Sequence, residues 1–191
     1  YQFYTNTLTE QMMQKIKIIN HLREAIETEQ FELYYQPQIN LQTHTIVGFE
    51  ALVRWHHPEL GFVSPAQFIP IAEESKLIIP LGEWILKKAC MQMVEWREEN
   101  LLDGRIAVNV SGVQLDDSNF QSMVQTVLEQ TGLNAAYLEL ELTESSLMSN
   151  PEKWIEDLNA LDALGIRLAI DDFGTGYSSL SYLRQKIGRA S

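Results

Sequence analysis

The residues best suited to chemistry lie in one stretch, Ala169-Ile170-Asp171-Asp172-Phe173-Gly174-Thr175-Gly176-Tyr177-Ser178-Ser179. Arg167 to Asp171 reads as a short buried strand, with Leu168, Ala169 and Ile170 apolar and no helical period. It ends in two adjacent carboxylates. The glycines that follow let the backbone turn tightly or approach a ligand closely, and Ser178 and Ser179 offer N-caps for a new helix. Such a strand end suits a divalent cation held beside a phosphate. The competing reading is a solvated acidic loop whose carboxylates cap the next helix.

Three further strands carry a polar group on one face. Side chains alternate faces along a strand, so parity can be read from the sequence. In Ile46 to Trp55, residues Gly48, Glu50, Leu52 and Arg54 share one face, and Phe49, Ala51, Val53 and Trp55 the other. In Tyr137 to Leu142, Glu139 and Glu141 oppose Leu138, Leu140 and Leu142. Arg105 to Asn109 ends in a carboxamide. Each strand thus offers an apolar face to a helix layer and places an acid or amide at or near its C-terminal end. Those groups are Glu50, Asn109, Glu141 and Asp171, and a β/α barrel builds its site at such ends.

The donor set is hard oxygen without His or Cys, which suits Mg²⁺, Mn²⁺ or Ca²⁺ better than Zn²⁺ or Cu²⁺. Asp172 is placed to bridge to a second cation, and a two-metal site clamps the attacking and leaving oxygens of a phosphodiester. Arg54 shares the face of Glu50 and can hold a phosphate through its planar fork; a structural ion pair is the rival reading. Glu144, three residues past Glu141, reads as a loop brace rather than a ligand. His21, His44, His56 and His57 read as surface residues.

Alternating elements must position these groups. The pattern predicts a linker over residues 1–14, a helix from Ile16 to Glu29, and a strand from Phe31 to Gln36 stopped by Pro37. After the second strand come a short helix from Pro65 to about Ser75 and a long one from Leu81 to Glu98. Leu81, Trp84, Ile85, Ala89, Met93 and Trp96 share one face of the long helix. Helices over about Asp117 to Gln130 and Pro151 to Leu164 then alternate with the remaining strands; Gly132 closes the first, while Asn150 caps and Gly165 ends the second. A last helix starts at Tyr177. The alternation implies a parallel sheet with crossover helices, and about five strands fall short of an eight-fold barrel.

Composition narrows the partners. With 14 Lys and Arg against 26 Asp and Glu the 191-residue chain carries a net charge of −12. That argues against non-specific binding to nucleic acid or to an anionic membrane. A phosphate ligand would need bound cations to supply positive charge. The single cysteine, Cys90, precludes a disulfide framework within the chain and reads as a buried thiol of a reducing compartment. No run of about 18 apolar residues occurs. A soluble cytoplasmic domain is expected, with a membrane anchor elsewhere in a longer parent left open.

These residues resemble a known family. Glu50-Ala51-Leu52, continuing through Val53 and Arg54, is similar to the signature of EAL domains, the bacterial cyclic di-GMP phosphodiesterases. Tyr35-Gln36-Pro37, Asn109-Val110-Ser111, Glu141-Leu142-Thr143-Glu144 and Asp171-Asp172-Phe173-Gly174-Thr175-Gly176 resemble its further motifs, in the family's order. The resemblance implies a TIM-like (β/α) barrel of the EAL type that hydrolyses cyclic di-GMP to linear pGpG with Mg²⁺ or Mn²⁺. Residue by residue, it implies that Glu50, Asn109, Glu141 and Asp171 hold the first metal and Asp172 a second. It likewise implies that Gln36 and Arg54 contact substrate and that Glu144 steadies the Asp-Asp-Phe-Gly loop.

The similarity assigns residues 15–185 to the domain and 1–14 to a connector such as follows a GGDEF domain, so an upstream signalling domain and a homodimer partner are further expectations. The family pattern departs at the end. Members continue with a strand bearing a catalytic Lys, then strands bearing a Glu and a Gln, whereas residues 186–191 form a tail that does not match. About five of eight strands are therefore expected, with activity impaired or lost in the chain as given. The alternative is a non-catalytic EAL module serving nucleotide binding, dimerisation or regulation.

Overall fold

A computed structural model describes residues 2–143 and 151–171, with side chains over 12–143 and 154–170. A six-stranded mixed sheet carries helices on one face. The chain runs through α1 (Gln2–Glu27), β1 (Phe31–Ile39), β2 (Ile46–His57), β3 (Gly61–Val63), α2 (Pro65–Glu74) and α3 (Ile78–Glu98). It continues through β4 (Arg105–Val110), α4 (Gly112–Leu115), α5 (Phe120–Thr131), a 3₁₀ turn (Ala135–Tyr137), β5 (Leu138–Thr143), α6 (Pro151–Ala163) and β6 (Arg167–Asp171). The strand order is β1-β2-β4-β5-β6, with β3 paired to β2. β1 and β3 lie antiparallel to β2; β2, β4, β5 and β6 are parallel. Among the described residues the sheet is open.

Helices form where apolar residues recur at helical spacing. Ile18, Leu22 and Ala25 bury one stripe of α1, and Phe120, Val124, Val127 and Leu128 one stripe of α5. In α3 the buried stripe holds Leu81, Ile85, Ala89 and Met93 as the spacing predicts, with Ile78, Gly82, Leu86 and Cys90 widening it. Trp84 and Trp96 are half-buried beside it. Both α5 and α6 stop at a glycine, Gly132 at φ 71° and Gly165 at φ 91°, where an L side chain would be strained. The predicted cap Asn150 lies outside the described residues.

The core lies between the helices and the apolar face of the sheet. Trp55 is fully buried, with ring centroids 5.6 Å from both Phe31 and Phe68. Val108, Leu138, Leu140 and Leu142 extend the same layer. Burial in β2 follows the predicted parity, with Ala51, Val53 and Trp55 buried and Leu52 and Arg54 half-exposed. At Gly48 the neighbouring strand comes so close that a Cβ would sit 2.6 Å from the Arg105 carbonyl oxygen, so only glycine fits the β2–β4 approach.

Four expectations need correction. Residues 2–14 are helical and continuous with α1. Pro37 does not stop β1, which runs on to Ile39; β1 ends the strand order, and an edge strand tolerates a residue without an N–H. A third strand, β3, folds back on Trp55–His57. Finally, His57 is not a surface residue. It is 7% exposed, and its Nε2 lies 2.9 Å from Nδ1 of the half-buried His21. The amides of Glu59 and Leu60 donate to His57 Nδ1 at 3.1 and 3.2 Å. With Nδ1 accepting, Nε2 carries the proton and donates to His21. His44 and His56 are exposed, as expected.

Candidate metal and phosphate site

The second face of the sheet carries the polar residues. Cross-strand register fixes which side chains share it. Gln36 is paired with Glu50, Gln38 with Gly48 and Glu32 with Arg54. Glu50 is paired with Ala107, Asn109 with Glu141, and Thr143 with Asp171. Counting in twos from these pairs places Gln36, Glu50, Arg54, Asn109, Glu141 and Asp171 on the face opposite the helices.

That face is concave. Gln38 Nε2 of β1 donates to Glu141 Oε1 of β5 at 3.2 Å, although β2 and β4 lie between. Strands three places apart in a flat sheet are separated by about 14 Å, so the contact is made across the hollow of a curled sheet, as in a barrel.

Two predicted ligands meet directly. Asn109 Nδ2 donates to Glu50 Oε1 at 2.6 Å, joining the end of β4 to β2. Glu50 lies within β2 rather than at its C-terminal end, one residue before the parallel pairing with β4 stops at Ala51, because β2 runs on to pair with β3. Glu141 stands one strand further on, opposite Asn109, and is half-buried. Asp171 closes the row by its backbone register, two residues beyond the partner of Glu141; its side chain, Asp172, Glu144 and the glycine loop lie outside the described residues. Among the described residues no three His, Cys, Asp or Glu side chains gather as a metal cluster. The adjacent groups are Glu50 and Asn109, with Glu141 the next acid. Carboxylate and amide oxygens on neighbouring strands are the donors that a hard divalent cation takes, and rotating the Asn109 amide would turn its oxygen toward the same space.

Arg54 has two neighbours. Its Nη1 donates to the Val53 carbonyl at 2.9 Å, and its guanidinium carbon lies 5.5 Å from the centre of the Tyr34 ring. Among the described residues it forms no ion pair, not even with Glu32 opposite. The structural ion pair on this face is a different one, Arg167 Nε to Glu139 Oε2 at 3.1 Å, deeper in the hollow. It neutralises an acid that would otherwise add to the repulsion around Glu50 and Glu141.

One positioning residue was not read from the sequence. Asn109-Val110-Ser111 runs from the end of β4 straight into α4. Ser111 is the N-cap, its Oγ accepting from the Gln114 amide at 3.4 Å, while Gln114 Oε1 accepts from the Ser111 amide at 3.1 Å. This capping box fixes the chain two residues beyond Asn109. Gln114 is 5% exposed and wedged against Gly82 of α3. The capping signature is legible as Ser111-x-x-Gln114; its packing on Gly82 is not.

The curled α/β sheet thus carries carboxylate and carboxamide side chains on its concave face. Residues 19–186 match the EAL domain family, and the chain belongs to it. The chain is 38% identical over 185 residues to MucR of Pseudomonas aeruginosa, described as a bifunctional diguanylate cyclase/cyclic di-GMP phosphodiesterase. It is 41% identical over 184 residues to the cyclic di-GMP phosphodiesterase NbdA of the same organism. These alignments take in 97% and 96% of this chain but 27% and 24% of the relatives. Among solved structures, a MucR phosphodiesterase in complex with cyclic di-GMP superposes with a TM-score of 0.84 at 40% identity, over 89% of this chain and 69% of that one. The EAL enzyme Bd1971, bound to cAMP and cyclic di-GMP, gives 0.83 at 36% identity, over 96% and 50%. The fold is therefore the α/β, TIM-like fold of EAL structures. Among the described residues no helix is long and apolar enough to cross a membrane.

Proposed function

We propose that this chain forms the metal- and substrate-binding part of a phosphodiesterase that opens cyclic di-GMP to linear pGpG. The observation that carries the reading is the contact of Asn109, near the C-terminal end of β4, with Glu50 of the neighbouring parallel strand at 2.6 Å, in register with Glu141. The oxygen donors fit a hard cation, Mg²⁺ or Mn²⁺. Glu50, Asn109, Glu141 and Asp171 hold the first ion and Asp172 a second. Bound divalent cations supply positive charge to a phosphoryl oxygen and lower the pKa of water.

The rest falls to the chain's own groups. Arg54 offers the guanidinium N–H groups not used on Val53 to a phosphate, and Gln36 lies on the same face to donate from its amide. Glu144 steadies the loop that carries Asp171 and Asp172. At a net charge of −12, the protein's overall field repels an anionic nucleotide, so binding depends on these local cations. A cytoplasmic setting, a homodimer and an upstream GGDEF or other signalling domain belong to the same proposal.

The test is a calorimetric titration of Mn²⁺ into wild type, Asn109→Ala and Asp171→Ala. Saturable binding by wild type that weakens at least tenfold in both variants is expected. Equal binding by all three proteins would remove the site.

A further inference from the structure

The concave face carries a large aromatic side chain that the proposed chemistry leaves unused. Tyr34 is 51% exposed, whereas its neighbour Tyr35 points the other way and packs on Trp96 with ring centroids 4.8 Å apart. Tyr34 is paired with Leu52 and so stands diagonally next to Arg54 on one face. The Arg54 guanidinium carbon is 5.5 Å from its ring centre, within cation–π range.

We infer that Tyr34 is a positioning residue: its ring is the platform that presents the Arg54 guanidinium to a ligand phosphate. The inference rests on the phosphodiesterase reading for the identity of that ligand. Arg54 is a long side chain with several rotamers, and ordering it on binding costs affinity. Two contacts order it beforehand. Val53 takes one N–H, and the Tyr34 ring lies under the cation. Val53 occupies only Nη1, so the Nε–H and Nη2–H pair stays open for a bidentate phosphate contact. Glu32, directly opposite Arg54, would be the obvious competitor, and it makes no ion pair with it. A cation–π contact needs no N–H donor, so it leaves the donors free for a phosphate; a carboxylate would take them.

The test has two arms. The first needs no ligand. Nuclear magnetic resonance of the Arg54 side chain in wild type is expected to show ring-current shifts that vanish in Tyr34→Leu and persist in Tyr34→Phe. Unchanged Arg54 resonances in Tyr34→Leu would overturn the platform whatever the substrate proves to be. The second arm uses cyclic di-GMP with Mn²⁺ and the full-length protein. Tyr34→Leu is expected to raise KM about 2- to 30-fold, the range of a cation–π contact, with kcat within about twofold. Mn²⁺ affinity should not change, Tyr34→Phe should restore KM, and Tyr34→Leu should add nothing in an Arg54→Ala background. An equal KM in wild type and Tyr34→Leu, or an undiminished effect without Arg54, would refute the inference. Absence of turnover in wild type would instead count against the phosphodiesterase reading, and the resonance arm would still decide the role of Tyr34. Leucine keeps a bulky apolar residue in the strand, so loss of fold is not expected; a wild-type melting temperature in Tyr34→Leu checks this.

Discussion

Replacing Gly82 by alanine sets two effects of known size against each other. Gly82 lies inside α3, and there alanine is favoured over glycine by about 1 kcal/mol. Against this, the new Cβ would stand 2.0 Å from Gln114 Nε2 and 2.7 Å from its Cδ. Those atoms end a flexible side chain, but a buried one whose Oε1 is committed to the Ser111 amide. Displacing it gives up the capping box, worth about 1 kcal/mol. It also leaves the Ser111 N–H unpaired, at roughly 1–3 kcal/mol. The clash therefore outweighs the helix propensity, with a net loss of about 1–3 kcal/mol. A chain of this size loses about 2–4 °C of melting temperature per kcal/mol, so Gly82→Ala should melt about 4–8 °C lower for a net loss near 2 kcal/mol. Thermal denaturation followed by circular dichroism is the assay. In a Gln114→Ala background the obstacle is gone, and the same substitution should stabilise by up to about 1 kcal/mol, reversing sign. Gly82→Ala melting at or above wild type, or remaining destabilising without the Gln114 side chain, would refute the reasoning.

Two further outcomes follow from buried groups. Burial, with the nearby charge of His21 and Lys17, lowers the His57 pKa, while Glu59 and Glu24 oppose the shift. Because the folded pKa is depressed, the unfolded chain binds the extra proton first. The stability His57 contributes is thus full above the unfolded value of about 6.5 and falls as pH drops through the folded pKa; His57→Gln should flatten that part of a stability–pH curve measured by urea denaturation. Cys90 is fully buried and its thiol is pushed up to about 12 by desolvation. It should therefore resist a thiol reagent in the native protein at pH 8 and react at once in denaturant; rapid native labelling would contradict its placement.

Sequence parity carried far because it depends only on local geometry. The alternation in β2, β4, β5 and β6 placed Glu50, Asn109, Glu141 and Asp171 on one face, and the register bears that out. What parity cannot supply is contact between distant segments. His57 looked like a loop residue because its burial depends on His21, 36 positions away. The curl of the sheet shows in Gln38 meeting Glu141 across 103 positions, which no window of sequence contains. Pro37 misled for a related reason: its cost depends on whether the strand has a neighbour on each side, and β1 ends the sheet order. Arg54 could not be given a partner from sequence because that depends on where its fork points, and Tyr34 went unread because an aromatic residue in a β-prone run reads as ordinary strand composition.

The central claim is tested most directly by product analysis of cyclic di-GMP incubated with the full-length protein and Mn²⁺, alongside Glu50→Gln. The substitution keeps the size of the side chain and its place opposite Gln36 but removes the charge that a cation needs. The account predicts linear pGpG from the wild type, none after chelation of the metal, and turnover reduced about 10²-fold or more in Glu50→Gln. Hydrolysis that persists at the wild-type rate in Glu50→Gln, or cyclic di-GMP left intact by the wild type at saturating Mn²⁺, would contradict it.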